Sequence, residues 1–230
     1  MTRTKRTGIF SEATFQFFRE LRRNNRKDWM DRHREQYRQH VVAPFRRLFE
    51  RLMPDVLRCN PQFDVSGRTG SNFSRINRDL RFSKDKTPYR THMYLLFSRG
   101  PKSDDGQLYV NLGGDRVTVG FRIYGDTRRS TLARLGAARA LEHLAWIQRQ
   151  RRRLGRQYES YWYATERGEW IQHPGWPVRA EDWKRIKGWV VRRVLRPADA
   201  LRPDFDRRVA RIFRALYPLY EFTSLEPWRK

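Results

Sequence analysis

The chain has little of what builds several kinds of protein site. Cysteine occurs once in 230 residues, at Cys59, which excludes an intramolecular disulfide and a cysteine-based metal cluster. Of the five histidines, His33 and His40 could share a helix face, but they lack a third ligand nearby, so we predict no metal site. Gly113 and Gly114 lack the further glycines and the following helix of a dinucleotide fingerprint, and no Walker loop is present.

Long hydrophobic runs are also missing. Arg3, Lys5 and Arg6 open the chain without the apolar run of a signal peptide, and no stretch approaches transmembrane length. We therefore expect a cytoplasmic protein that does not associate with a membrane. No Gly/Ser linker divides the 230 residues, a length that suits one sizeable domain. We predict a single domain over residues 1–230, with a core over about 10–222 and a flexible start over 1–8.

Acidic residues are few relative to basic ones. The chain has 25 Asp and Glu against 50 Lys and Arg, of which 42 are arginine, and its net charge is +25. Because arginine pairs with phosphate in bidentate geometry and stacks on aromatic planes, nucleic acid is a candidate partner. The excess is nevertheless spread along the chain, with its densest run between Arg149 and Arg156. A general preference for arginine would give the same distribution, so both interpretations remain open.

Aromatic residues are plentiful instead, and the most varied chemistry lies between Ser71 and His92. Aromatics make up 14% of the chain, which supplies a core and argues against the disorder that low hydropathy and high charge otherwise indicate. If the segment after Ser74 is extended, its side chains alternate between two faces. One face then carries Arg75, Asn77, Asp79, Arg81 and Ser83, and the other carries Ile76, Leu80 and Phe82.

A loop is predicted to follow this segment. Pro88 fixes its own backbone and disfavours a helix at Thr87, so residues 84–88 are predicted to join two strands. The net charge from Asn77 to Arg90 is +3, which favours an anionic ligand. The alternative is a solvated hairpin on which Asp79 and Asp85 only neutralise neighbouring arginines.

Three stretches resemble a known family. The run from Arg75 to His92, together with Asn24–Trp29 and Leu216–Leu219, resembles DUF2461, a domain family of unknown function in bacteria and fungi. The resemblance extends over about 10–222. It implies a bacterial protein with a single α+β domain, and it brings no established activity, substrate or cofactor. Between about 149 and 179 the chain departs from the family pattern, being richer in Arg, Tyr and Trp.

Hydrophobic periodicity predicts the α+β class directly. The predicted sheet is antiparallel, has about four to five strands and packs against N-terminal, middle and C-terminal helices. Helices are predicted over about 11–22, 27–42, 44–58, 130–157 and 204–216, and strands over about 92–99, 107–112, 116–124 and 189–195.

The first functional hypothesis is a site that binds an anionic, phosphate-bearing ligand; whether it also catalyses a reaction is left open. The predicted ligand-binding residues are Arg75, Asn77, Arg78, Arg81, Ser83, Lys84, Lys86 and Asn25. Asn25 is included because a helix N-terminus there could face the basic hairpin. The candidates for proton transfer are Asp79, Asp85, His92 and Tyr89.

Two hypotheses from other classes compete with it. A nucleic-acid-binding module would use exposed Tyr158, Tyr161, Trp162 and Tyr163 as stacking surfaces. A structural or adaptor domain would keep the motif as an internal network of ion pairs. A metal nuclease is disfavoured because the run from Lys84 to Lys86 lacks the usual spacing of such sites.

Overall fold

The helical layer opens the chain because large apolar residues recur at helical spacing. The computed structural model describes residues 7–81, 83–100, 104–125 and 129–228. The flexible start predicted for residues 1–8 falls mostly outside these ranges. The first helices are α1 Glu12–Arg23, α2 Lys27–Arg32, α3 Arg34–Tyr37, a π-helical segment Arg38–Val42, and α4 Ala43–Cys59.

The predicted helix over 27–42 is interrupted at one histidine. His33 leaves helical geometry, and its imidazole Nδ1 lies 2.8 Å from the carbonyl oxygen of Trp29. The ring also stacks on the Trp29 ring at 4.0 Å. α2 therefore ends at Arg32, and α3 begins immediately after His33, at Arg34.

Six strands form one antiparallel sheet. They are β1 His92–Phe97, β2 Gln107–Gly113, β3 Val117–Tyr124, β4 Glu159–Glu166, β5 Glu169–Pro174 and β6 Ile186–Leu195. Their order across the sheet is β1-β2-β3-β6-β4-β5. The prediction of four to five strands was therefore wrong, because β4 and β5 lie in a stretch for which no element was predicted. The α+β class is confirmed.

The later helices pack on one side of this sheet. They are a π-helical segment Leu132–Gly136, α5 Ala137–Glu142, α6 Leu144–Leu154, α7 Ala180–Arg185, α8 Pro197–Ala200 and α9 Phe205–Ser224. The last helix continues beyond its predicted end at residue 216 and includes Pro218. None of the helices in the described ranges has the length and apolar character needed to cross a membrane.

Strand alternation gives the sheet two different sides. On one side, residues such as Leu95, Val110 and Phe121 are fully buried in the main core with α1, α4 and α9. On the other side, a smaller cluster of Leu96, Tyr109 and Val190 is bordered by three half-buried tyrosines, Tyr94, Tyr161 and Tyr163. Among the described residues, no helical residue belongs to that second cluster. We call this second side the open face.

Candidate anion-binding site

The segment before the polar motif is fixed to the edge of β1. The backbone amide of Leu96 donates to the Asn72 carbonyl at 2.8 Å, and that of Ser74 donates to the Tyr94 carbonyl at 3.0 Å. The Tyr94 amide in turn donates to the Ser74 hydroxyl at 3.0 Å. These bonds satisfy part of the exposed strand edge, and they place the residues after Ser74 beside the open face.

The buried side chain of Asn72 also fixes this segment through hydrogen bonds to the backbone. It is 1% exposed. Its Nδ2 donates to the carbonyl oxygens of Asp64 at 2.7 Å and Leu96 at 3.0 Å, and its Oδ1 accepts from the Gly67 amide at 2.9 Å. One buried amide thus satisfies three backbone groups, two in the irregular loop before the motif and one in β1.

The motif itself forms an irregular hairpin. The Arg78 amide donates to the Pro88 carbonyl at 2.9 Å, and the Arg90 amide donates to the Ile76 carbonyl at 2.8 Å. The predicted pairing of two extended segments around a loop is present, but it consists of an isolated bridge between Asn77 and Tyr89 rather than regular strands.

The predicted alternation of side chains is visible in the exposure of the hairpin. The set that was predicted to share a polar face, Arg75, Asn77, Asp79 and Arg81, is exposed, whereas Ile76 and Leu80 are half-buried. Ser83 is half-buried. Phe82, which was predicted to point inward with Leu80, lies outside the described residues.

A cavity of about 670 Å³ lies between this hairpin and the open face. Its charged lining consists of Arg75, Arg78, Asp79, Arg90 and Arg122. The Tyr94 ring also lines it, and the Arg122 guanidinium lies 4.6 Å from the centre of that ring. We call this cavity the arginine pocket.

Arg78 is committed to bracing the hairpin. Its guanidinium donates to the Asp85 carboxylate, to the Thr87 hydroxyl and, at 3.1 Å, to the Ser83 hydroxyl. The Asp85 carboxylate also accepts from the Thr87 amide at 2.9 Å. This amide bond and the Arg78 guanidinium lower the pKa of Asp85 to about 2. Asp85 is therefore ionised at neutral pH, and its carboxylate stabilises the loop through these hydrogen bonds.

The other cationic groups of the pocket are freer. Within the described ranges, the side chains of Arg75 and Arg90 have neither a carboxylate partner nor a hydrogen bond, and both are exposed. Arg122 donates from Nε to Gln107 Oε1 at 2.9 Å. Asp79 is the acidic group of the lining, and Arg81 pairs with it at 2.7 Å and lowers its pKa. The pocket is consequently positive.

His92 reports this positive environment. It lies at the start of β1 and is half-buried. Burial lowers the pKa of its imidazole, and the charges of Arg90 and Arg122 lower that pKa further. His92 is therefore mostly neutral at pH 7.

Asn25, which was predicted to bind the ligand, contacts the hairpin through hydrogen bonds from both polar atoms of its side-chain amide to the backbone of Tyr89. Its Nδ2 donates to the Tyr89 carbonyl at 2.8 Å, and its Oδ1 accepts from the Tyr89 amide at 3.0 Å. Tyr89 itself is 7% exposed and belongs to the core. Asn25 thus positions the hairpin, and Tyr89 anchors it.

The structure brings four of the predicted residues, Arg75, Asn77, Arg78 and Asp79, to the pocket lining. The rest of the predicted loop set is placed outside it: Lys86 Nζ donates to the Leu80 carbonyl at 3.1 Å, and the Ser83 hydroxyl donates to the Asp85 carbonyl at 2.8 Å. Lys84 is exposed.

Sequence reasoning missed Arg90, Tyr94 and Arg122 as parts of the site. Tyr94 and Arg122 alternate with the apolar residues of β1 and β3, so their positions facing away from the core were the signal that could have found them. In the described part of the chain, no three His, Cys, Asp or Glu side chains cluster closely enough to hold a metal ion.

A family model described as a conserved hypothetical protein, DUF2461, matches residues 13–222. The chain belongs to the DUF2461 family. The matched residues contain the whole arginine pocket and all six strands of the sheet. No curated protein matches the chain.

The prediction that Tyr158, Tyr161, Trp162 and Tyr163 of this DUF2461 chain are all exposed is wrong. Trp162 and Tyr158 are only 3% and 8% exposed and belong to the main core. Tyr161 and Tyr163 lie on the open face instead. The four rings do not share one surface, because Tyr161 and Tyr163 point to the opposite side of β4 from Trp162, and Tyr158, just before β4, is in the main core with Trp162.

Proposed function

We propose that this protein binds a phosphate-bearing anion in the arginine pocket. The observation that supports the proposal is the convergence of Arg75, Arg90 and Arg122 on one cavity, where the first two have no anionic partner among the described residues. Guanidinium groups bind phosphate through paired N–H donors, and such charge-assisted bonds are about twice as strong as neutral ones.

Binding accounts for the geometry better than acid–base catalysis does. Of the four predicted proton-transfer residues, Asp79 lines the pocket and is paired with Arg81. Asp85 is held by Arg78 and Thr87, and Tyr89 is buried. His92 is half-buried and is not among the residues that line the pocket. We therefore assign no acid–base step to the site.

A purely structural role explains the contacts of Arg78 and Asp85 but not the positions of Arg75 and Arg90. The contacts of Arg78 and Asp85 are those of an internal brace. The side chains of Arg75 and Arg90 do not take part in this brace, and a structural role would leave their exposed cationic groups unexplained. Binding of an anionic ligand would explain why these two guanidinium groups line the pocket.

The test is titration of the protein with pyrophosphate by isothermal calorimetry. We expect Arg75→Ala with Arg90→Ala to weaken binding by at least about 100-fold, because each charge-assisted bond contributes about 1.5 to 3 kcal/mol. The matched control is Arg149→Ala with Arg156→Ala, which removes the same charge from exposed positions in the densest arginine run. An equal loss in the control, or no binding by the wild type, would refute the proposal.

A second expected result concerns His92. Burial, and beyond it the charges of Arg90 and Arg122, lower the pKa of this imidazole. A bound phosphate that offsets the two charges should therefore raise that pKa toward its ordinary value of about 6.5. By linkage, the affinity for the anion should then increase as the pH falls from about 6.5 toward the lower pKa that His92 has in the unliganded protein. An NMR titration of the histidine ring protons, assigned with His92→Gln, measures the change with and without pyrophosphate. An unchanged His92 pKa at saturating ligand would place the anion elsewhere.

A further inference from the structure

Arginine and aromatic side chains continue from the arginine pocket across the open face. The Arg122 guanidinium lies 4.6 Å from the Tyr94 ring centre and 5.3 Å from that of Tyr109. Further across the sheet, the Arg192 guanidinium lies 4.9 Å from the ring centre of Tyr161. Cationic groups and rings therefore alternate over the central strands.

The far end of the open face is aromatic. The Tyr163 ring centre lies 5.8 Å from that of Trp170 and 6.3 Å from that of Tyr124. Trp170 is 42% exposed, so much of its ring is open to solvent. The β4–β5 end thus presents accessible rings to solvent.

Two glycines keep this surface flat. A Cβ atom on Gly188 would lie 2.7 Å from Tyr124 Cδ1, and one on Gly120 would lie 2.9 Å from Tyr109 Cε1. Both rings therefore lie directly over bare backbone of the neighbouring strand. Tyr109 is 3% exposed and forms the floor of the open face, whereas Tyr124 is half-buried beside the rings of Tyr163 and Trp170.

We infer that the open face binds single-stranded nucleic acid, with one backbone phosphate in the arginine pocket and bases stacked on the rings toward Trp170. The inference rests on the proposed function for its phosphate contact. Unpaired bases stack on aromatic side chains, whereas the bases of a duplex are not accessible to them. Six strands at about 4.8 Å spacing span about 24 Å, which is comparable with the shortest sites, of about four nucleotides, used by single-strand-binding folds. The net charge of +25 complements the phosphates.

The experiment measures fluorescence anisotropy with a labelled oligothymidylate of about 12 nucleotides and with an abasic strand of equal length and charge. The oligouridylate serves as an RNA arm. Three proteins are compared: the wild type, Trp170→Ala, and Ile171→Ala. Ile171 is the matched control because it is also exposed and is the next residue of β5, on the opposite side of the strand.

We expect the wild type to bind the intact strand at least about fivefold more tightly than the abasic strand, the smallest effect of one stacked base. Trp170→Ala should weaken binding of the intact strand by a similar factor and leave the abasic strand unchanged. Ile171→Ala should change neither. Affinity should also fall linearly with salt on logarithmic axes.

The outcomes separate this inference from the proposed function. Equal affinity for intact and abasic strands, or an unaltered Trp170→Ala variant, overturns the inference. If pyrophosphate still binds in that case and is lost with Arg75→Ala and Arg90→Ala, the proposed function stands. If neither pyrophosphate nor oligonucleotide binds, both are wrong.

Discussion

Asp105→Ala is expected to lower the free energy of unfolding by about 3 kcal/mol. Asp105 is 4% exposed, and its carboxylate accepts from Arg99 Nε at 3.2 Å and from the Tyr220 hydroxyl at 2.5 Å. The substitution leaves a partly buried guanidinium and a buried hydroxyl without their acceptor. The expected cost lies at the lower end for a broken buried ion pair, because the Arg99 side chain remains 30% exposed. Urea denaturation followed by circular dichroism measures the change.

Two further variants separate the parts of that network. Tyr220→Phe removes only the hydroxyl and should cost about 1 kcal/mol, the usual value of one hydrogen bond. Arg99→Met added to Asp105→Ala should recover part of the loss, because no charge is then left unpaired. A single Asp105→Ala variant within about 1 kcal/mol of the wild type would show that the pair does not hold the β1–β2 connection to α9.

Asn72→Ala should destabilise the protein by about 3 kcal/mol, since it removes the partners of three backbone groups at a buried position. For a chain of this size, that corresponds to a fall in thermal midpoint of about 6 to 12 °C. Asn72→Asp should also destabilise it, because a carboxylate cannot donate to the carbonyls of Asp64 and Leu96. Differential scanning calorimetry measures both variants.

Asn77, five residues after Asn72, provides the control variant. Asn77→Ala removes the same side chain from an exposed position of the same segment, and its effect on stability should stay within about 0.5 kcal/mol. Comparable losses in the two variants would contradict the role given to the Asn72 amide.

Weaker pyrophosphate binding is also expected for Asn72→Ala, because the loop that it fixes leads directly to Arg75.

The strands of the sheet were predictable where one side of the strand is apolar throughout. β3 alternates Val117, Val119, Phe121 and Ile123 with polar or small residues, and it appears within one residue of its predicted bounds. β4 instead has aromatic residues on both sides, with Trp162 in the core and Tyr161 and Tyr163 on the open face. Its hydrophobic pattern therefore lacks a clear period, and the strand was missed.

The site divides in a similar way. The alternation of Arg75, Asn77 and Asp79 with Ile76 and Leu80 depends only on an extended backbone, so it was predictable. The partners of those residues were not, because they depend on long-range packing. Arg122 reaches the pocket from β3, and Asn25 reaches the hairpin from the connection between α1 and α2. Local patterns carry no information on such contacts.

The Asn25 clamp links the site to the order in which the chain assembles. It joins positions separated by 64 residues, so the hairpin gains these bonds only after the helical layer has met the sheet. The Tyr89 amide is protected by that distant side chain rather than by a neighbouring strand. Its hydrogen exchange with solvent should therefore follow the separation of the hairpin from the helices, a local opening that can occur while the central strands stay intact.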